Sequence, residues 1–215
     1  MGNFRGWICL ILALAPQAAA QTETQHGFDA SFRIRPRMDL VLHGRLRTRP
    51  ASLGLYQARF GPLLEYSGPR GLKWIGGYYY TQQENFDADF IGGRRYFGGA
   101  EIRIVETGAA RVETRALAER FEQADKSFAR YRLRARVSGL SRVAPYASVE
   151  NFLDANGWRS ARLAAGLRMR NGARIAFDFG YFVEPRRADI GRTRHMFMTG
   201  LHWSFGARRR GDPDL

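Results

Sequence analysis

The chain has 215 residues, a net charge of +14 and a single cysteine. That length suits one domain with a sizeable interior, or one β-barrel of moderate size. One thiol excludes a disulfide framework and cysteine-only zinc sites.

The first element reads as an export signal over residues 1–20. Arg5 supplies its charge and Trp7 to Ala15 its short apolar run; Ala18 and Ala20 mark a small-residue cleavage site before Gln21. Removing it would take away Cys9 and with it any thiol chemistry. No later run of 18 apolar residues suggests a membrane helix. Residues 21–38 follow as a polar periplasmic lead-in or short extra strand, with a weak alternation at Phe32-Arg33-Ile34-Arg35.

Ten strand-like segments come next, between residues 39 and 205. In Asp39–Arg49, Leu40, Leu42 and Leu46 oppose His43, Arg45 and Arg47. In Leu55–Tyr66, Tyr56, Ala58, Phe60, Leu64 and Tyr66 are expected outside, with Gln57, Arg59 and Glu65 inside. Pro62 argues for a bulge or an edge there. The faces of Leu72–Gln83 are not phased. A fourth segment ends with Glu101 and Arg103 against Ala100, Ile102 and Ile104. A fifth, Ala110–Arg120, sets Arg111, Glu113 and Arg115 against Val112, Thr114 and Ala116, and Glu119 joins the inward set.

The clearest stretch is the sixth, Ala129–Val137. Arg130, Arg132, Arg134 and Arg136 alternate without a fault against Ala129, Tyr131, Leu133, Ala135 and Val137. A period of two is that of a strand and puts four guanidiniums on one sheet face. Then come Ala144–Phe152 with Tyr146, Ser148 and Glu150, Arg159–Arg170 with Arg162 and Arg168, and Ala173–Val183 with Arg174 and Asp178. The tenth, His195–Phe205, carries Leu201, Trp203 and Phe205 on its apolar face. Residues 206–215 form a basic tail.

The turns predicted after alternate strands are short and include Asn171-Gly172, a hairpin signal. Longer loops are expected at Glu84–Gly93, Glu122–Ser127, Leu153–Trp158 and Glu184–Thr193. With both chain ends on the periplasmic side, this asymmetry and strands of about ten residues fit an antiparallel, up-and-down transmembrane β-barrel. Ten strands is the predicted count. Eight or twelve are the alternatives, because Phe28–Arg35 also alternates. Arginines at alternate positions mean one face of a sheet, so nucleic acid is not an expected partner.

The second half resembles a bacterial outer-membrane barrel family, the domain of unknown function 2490. The likeness lies in the R-x-R-x-R ladder, P-Y-A-S-V-E-N-F at Pro145–Phe152, R-L-A-A-G-L at Arg162–Leu167, F-D-F-G-Y at Phe177–Tyr181 and the strand His195–Phe205. Glu101–Arg103 and Arg111–Arg115 extend it. The resemblance implies an outer-membrane barrel and carries no catalytic residues. Leu201, Trp203 and Phe205 are similar to the terminal-strand signal read by barrel-assembly machinery.

The expected lumen then holds Arg45, Arg47, Arg59, Arg103, Arg111, Arg115, Arg130, Arg132, Arg134, Arg136, Arg162, Arg168 and Arg174. Facing them are Glu65, Glu101, Glu113, Glu119, Glu150 and Asp178. Two readings follow: a salt-bridge packing that fills a narrow barrel, or a narrow channel preferring small anions. The alternatives are a lipid-modifying hydrolase built on His202, Ser204 and Asp178, and a secreted soluble sheet protein binding anionic ligands. No metal site, cofactor or catalytic motif is expected. Outer-membrane lipids and assembly machinery are the expected partners, and the assembly a monomer.

Overall fold

The computed structural model describes residues 22–49, 54–84, 89–124 and 126–206. The expected signal peptide, with Ala18 and Ala20, lies outside these residues, as do residues 207–215 of the basic tail. The described chain is all β and closes into one barrel of eleven strands. They are β1 (Thr22–Arg35), β2 (Met38–Thr48), β3 (Leu55–Ser67), β4 (Leu72–Glu84), β5 (Phe90–Glu106) and β6 (Ala110–Gln123). Then follow β7 (Lys126–Gly139), β8 (Val143–Asp154), β9 (Gly157–Asn171), β10 (Ile175–Glu184) and β11 (Arg194–Phe205). Among them no helix is long and apolar enough to cross a membrane, which bears on helices alone.

Ten of the contacts between neighbouring strands are antiparallel hairpins, and the eleventh is not. β1 pairs parallel with β11, from Thr22 opposite His195 to Phe32 opposite Phe205. The segment read as a lead-in is therefore part of the wall, and the barrel begins at Thr22 rather than at residue 39. An odd strand count also corrects the expected placement of the ends. Thr22 and Phe205 lie at opposite mouths, because parallel neighbours start at the same mouth.

The strands run further than the apolar alternation that announced them. β6 and β7 are joined through residues 124–125, and β8 and β9 through 155–156. Glu122 pairs with Ser127 and Asp154 with Gly157, so two of the four longer loops expected, at Glu122–Ser127 and Leu153–Trp158, belong to the strands and the predicted loop asymmetry is reduced. Backbone hydrogen bonds extend a hairpin whatever the side chains are, which is why pattern stops short of the true strand end. The longest connection, residues 185–193, lies across the β8–β9 hairpin. Arg187 Nη1 donates to the carbonyls of Asn156 and Trp158, both at 3.1 Å, and Arg187 Nε donates to Asp189 at 2.6 Å. That hydrogen bond holds the exposed Asp189 carboxyl below the usual carboxylate range. The contact is therefore complete at neutral pH and lost only as pH falls through the lowered value.

Register shifts interrupt four of the ladders among the described residues, beside Ile34, Tyr56, Ile104 and Arg159. Arg47 opposes Gln57 but Thr48 opposes Leu55, so Tyr56 is the extra residue. It turns inward, 2% exposed, while Leu55 faces out; the expected outward Tyr56 is corrected by that bulge. The register shift between Arg103 and Val105 leaves Ile104 and Val105 both outside. Pro62 sits opposite Leu42 in β3, where the closed barrel has no edge. The ladder to β4 lapses at Gly61 and Pro62 instead, since Pro has no N–H to donate.

The face assignment otherwise follows the alternation. Large apolar side chains of every hairpin point outward and stay exposed, among them Leu42, Phe60, Trp74, Ile102, Tyr131, Leu163, Phe179 and Phe197. Inside, one apolar cluster fills the lumen along β2 to β6: Val41, Leu63, Ile75, Tyr79 and Leu117, with Phe97 against it. It depends on a close approach of β5 and β6 at Gly99. A Cβ there would overlap the Ala116 carbonyl oxygen and lie 2.9 Å from the Leu117 Cα. Gly99→Ala is therefore expected to push the two strands apart and cost about 1–3 kcal/mol. A thermal melt followed by circular dichroism checks it; an unchanged midpoint would contradict the packing.

Candidate functional site

The inward face carries the charge. Along β7 the arginines alternate with exposed residues, and the register brings acids to both sides of them. Arg130 lies opposite Glu119 and Arg136 opposite Glu113 on β6, while Arg134 lies opposite Glu150 on β8. Three carboxylates then act as nodes. Glu119 pairs with Arg95, with Arg130 Nη2 at 2.6 Å and with Arg132 Nη1 at 2.8 Å. Glu150 takes Arg132 Nη2 at 2.7 Å, Arg115 Nη2 at 3.1 Å and Arg162 Nη1 at 3.6 Å. Glu184 takes Arg162 Nη2 at 2.6 Å and Arg186 Nη2 at 2.9 Å. Arg134 reaches Glu101 at 2.6 Å. The result is a belt running from β5 through β10.

Guanidinium edges serve the carboxylates and their faces serve aromatic rings, a division that suits arginine and not lysine. Arg130, Arg132 and Arg162 all lie over Phe152, at 4.7, 5.4 and 5.2 Å from the ring centre. Arg162 also covers Phe182 at 4.4 Å, and Arg59 covers Tyr79 at 4.3 Å. Glu119, Glu150 and Arg95 are 3, 4 and 5% exposed. At this level the barrel is filled with side chains.

A second constellation crosses the β1–β11 seam. Asp29 accepts from His43 Nδ1 at 2.6 Å and faces His202 Nδ1 at 3.0 Å. His202 Nε2 lies 2.9 Å from Asp178, whose two oxygens receive Arg168 at 2.6 Å each. Arg59 Nη2 meets His43 Nε2 at 2.9 Å. His202 and Asp178 are thus brought together, as the hydrolase alternative requires. However, both ring nitrogens of His202 face carboxylates, leaving none for Ser204.

The remaining sequence-predicted residues fall into three groups. Arg103 and Arg111 meet Glu106 at 3.0 and 2.6 Å, Arg111 lies 3.7 Å from Glu113, and Glu65 pairs with Lys73 at 3.3 Å. Arg45, Arg47 and Arg59 bind neutral groups, while Arg136 stacks over Tyr146 at 4.4 Å. Arg174 is the correction. β10 begins only at Ile175, and residues 172–174 form the turn, with Gly172 at φ 66°. Arg174 is exposed there and does not enter the lumen. At the end of β11, Trp203 stacks on Phe205 at 4.6 Å and Phe205 on Phe32 at 4.7 Å.

Six charged residues of the site, Arg95, Glu184, Arg186, Asp29, Glu23 and Arg194, escaped the sequence reading. Stepping back in twos from Glu101 would have reached Arg95, and forward from Asp178, Glu184. Asp29 and Glu23 lay in the presumed lead-in; Glu23 pairs with Tyr56 and with Arg194 at 3.2 Å.

No family model, curated protein or solved structure matches this chain.

The belt makes one residue decisive. Glu119→Gln would leave Arg95, Arg130 and Arg132 sharing a neutral amide in a buried place. Breaking a buried pair in this way costs about 3–5 kcal/mol. Glu122→Gln, at an exposed pair with Arg120, is expected to cost less than about 1 kcal/mol. Thermal midpoints of the two variants compare them, and equal losses would mean that the belt carries no charge-specific energy.

Proposed function

We propose that this chain is an outer-membrane β-barrel, closed at mid-height by its arginine–carboxylate belt, and a member of the domain of unknown function 2490 family. The observation that carries the reading is the inversion of faces. Every hairpin turns large apolar side chains outward and charged ones inward, the reverse of a barrel made for water. A continuous apolar exterior marks a surface meant for a nonpolar neighbour, and a closed barrel leaves no backbone group unpaired in lipid. Tyr66, Trp74, Trp203 and Phe205 are exposed near the mouth where β11 ends, as suits a headgroup boundary.

In this reading the export signal at residues 1–20 directs the chain outward, assembly machinery reads Leu201, Trp203 and Phe205, and membrane lipids cover the band of a monomer. The mouth at Phe205 faces the periplasm, so Thr22 stands at the outer mouth. Filling of the lumen favours a closed barrel over an open anion channel.

Fractionation of expressing cells tests the location. The protein is expected in the outer membrane, with a gel mobility that shifts on boiling. A soluble band with no heat shift would sink the membrane reading and favour a secreted anion-binding protein. In planar bilayers the wild-type chain is expected to stay at baseline. Steady anion-selective conductance, weakened by Arg132→Glu with Arg134→Glu, would replace the closed barrel by a pore.

A further inference from the structure

The lumen contains two arginine pairs that stand directly opposite each other on neighbouring strands. One is Arg115 with Arg134, on β6 and β7. Like charges in this position repel, and here each is answered by an acid, Arg115 by Glu150 and Arg134 by Glu101. The other is Arg45 with Arg59, on β2 and β3. No carboxylate among the described residues lies within ion-pair distance of either. Among the described residues Arg45 donates only to the Gln57 side-chain oxygen, at 3.3 Å, and Arg59 only to His43, its guanidinium lying over the Tyr79 ring. Buried N–H groups remain unpartnered on both, Nε of Arg45 and Nε and Nη1 of Arg59; Arg115 and Arg134 each leave Nε as well, but there each fork reaches a carboxylate. Arg59 is 7% exposed, and Arg47, two residues along β2 from Arg45, is a further buried arginine beside the pair.

A buried cation beside other cations, with donors left over, lacks an anion. We propose that a tetrahedral oxyanion of the phosphate class binds in the lumen between Arg45 and Arg59. It would do for this pair what Glu150 and Glu101 do for Arg115 and Arg134. Arginine forks match the paired oxygens of such an anion. Arg45 is only half-buried, which leaves it reachable from the lumen. The proposal rests on the charge-filled lumen of the preceding reading and not on the membrane location.

The test is a thermal melt followed by circular dichroism, with inorganic phosphate against chloride at equal ionic strength. Phosphate at about ten times its dissociation constant is expected to raise the midpoint by about 3–6 °C over chloride. Gln57→Glu places an isosteric carboxylate at the acceptor Arg45 already uses. It is expected to raise the midpoint in phosphate-free buffer and to abolish the phosphate shift. Arg45→Met should also abolish the shift. Equal midpoints in phosphate and chloride for the wild-type chain would overturn the proposal, and so would a phosphate shift retained in Gln57→Glu. The melt reads the lumen whether the chain is folded in detergent or in buffer, so loss of the boiling-dependent gel shift counts against the membrane reading alone.

Discussion

Everything in this barrel depends on charge enclosed in a narrow space. Eleven strands with inward arginines leave little room for water at the level of Glu119 and Glu150. Each guanidinium must then find an oxygen or a ring within reach, or remain a cost. The carboxylates are fewer than the arginines, so the most buried of them serve several. Glu119 and Glu150 each bind three, which welds β5 to β9 across four hairpins. Such a node ties together strands that backbone ladders connect only to their neighbours.

Buried ion pairs are not a cheap way to hold a fold together. An apolar filling of the same shape is often as stable or more so. The lumen shows both solutions side by side: an apolar cluster around Leu63, Tyr79 and Leu117, and the charged belt beyond it. The apolar exterior explains the division. A strand with apolar residues on both faces reads as a continuous hydrophobic run, prone to register slips and to aggregation before the barrel closes. Strict alternation of arginine with leucine or tyrosine along β7 fixes the register, since a slip by one residue would place four guanidiniums outside.

This alternation is also why so much of the fold was legible. Ten of the eleven strands follow from a period of two, although the faces of β4 do not, and the arginines from Arg130 to Arg136 lie beside Glu119 and Glu150. What period alone does not reveal is where the phase changes. Tyr56 looked outward because the bulge beside Arg47 has no sequence mark stronger than the nearby glycine. Arg174 looked inward because Asn171-Gly172 was read as a two-residue turn, and the actual turn runs to residue 174. Arg95 was lost inside β5, where Gly92, Gly93 and the doublet Arg94-Arg95 break the contrast that period detection needs, and Glu184 at the last residue of β10.

The largest omission, β1, shows how sheet closure and charge balance are linked. Its alternation is weak, and Thr, Gln, His and Gly fill its first turns. Yet it contributes Asp29, the acceptor shared by His43 and His202, and Glu23, the partner of Tyr56 and Arg194. Gln25 on the same strand receives both Nε and Nη2 of Arg47. A ten-stranded barrel of β2 to β11 would satisfy the parity usual for antiparallel closure and would strand these four acceptor-seeking groups and His202 without β1. The parallel seam between β1 and β11 closes the barrel with the strand that carries these partners, so the strand that makes the count odd also supplies Asp29 and Glu23.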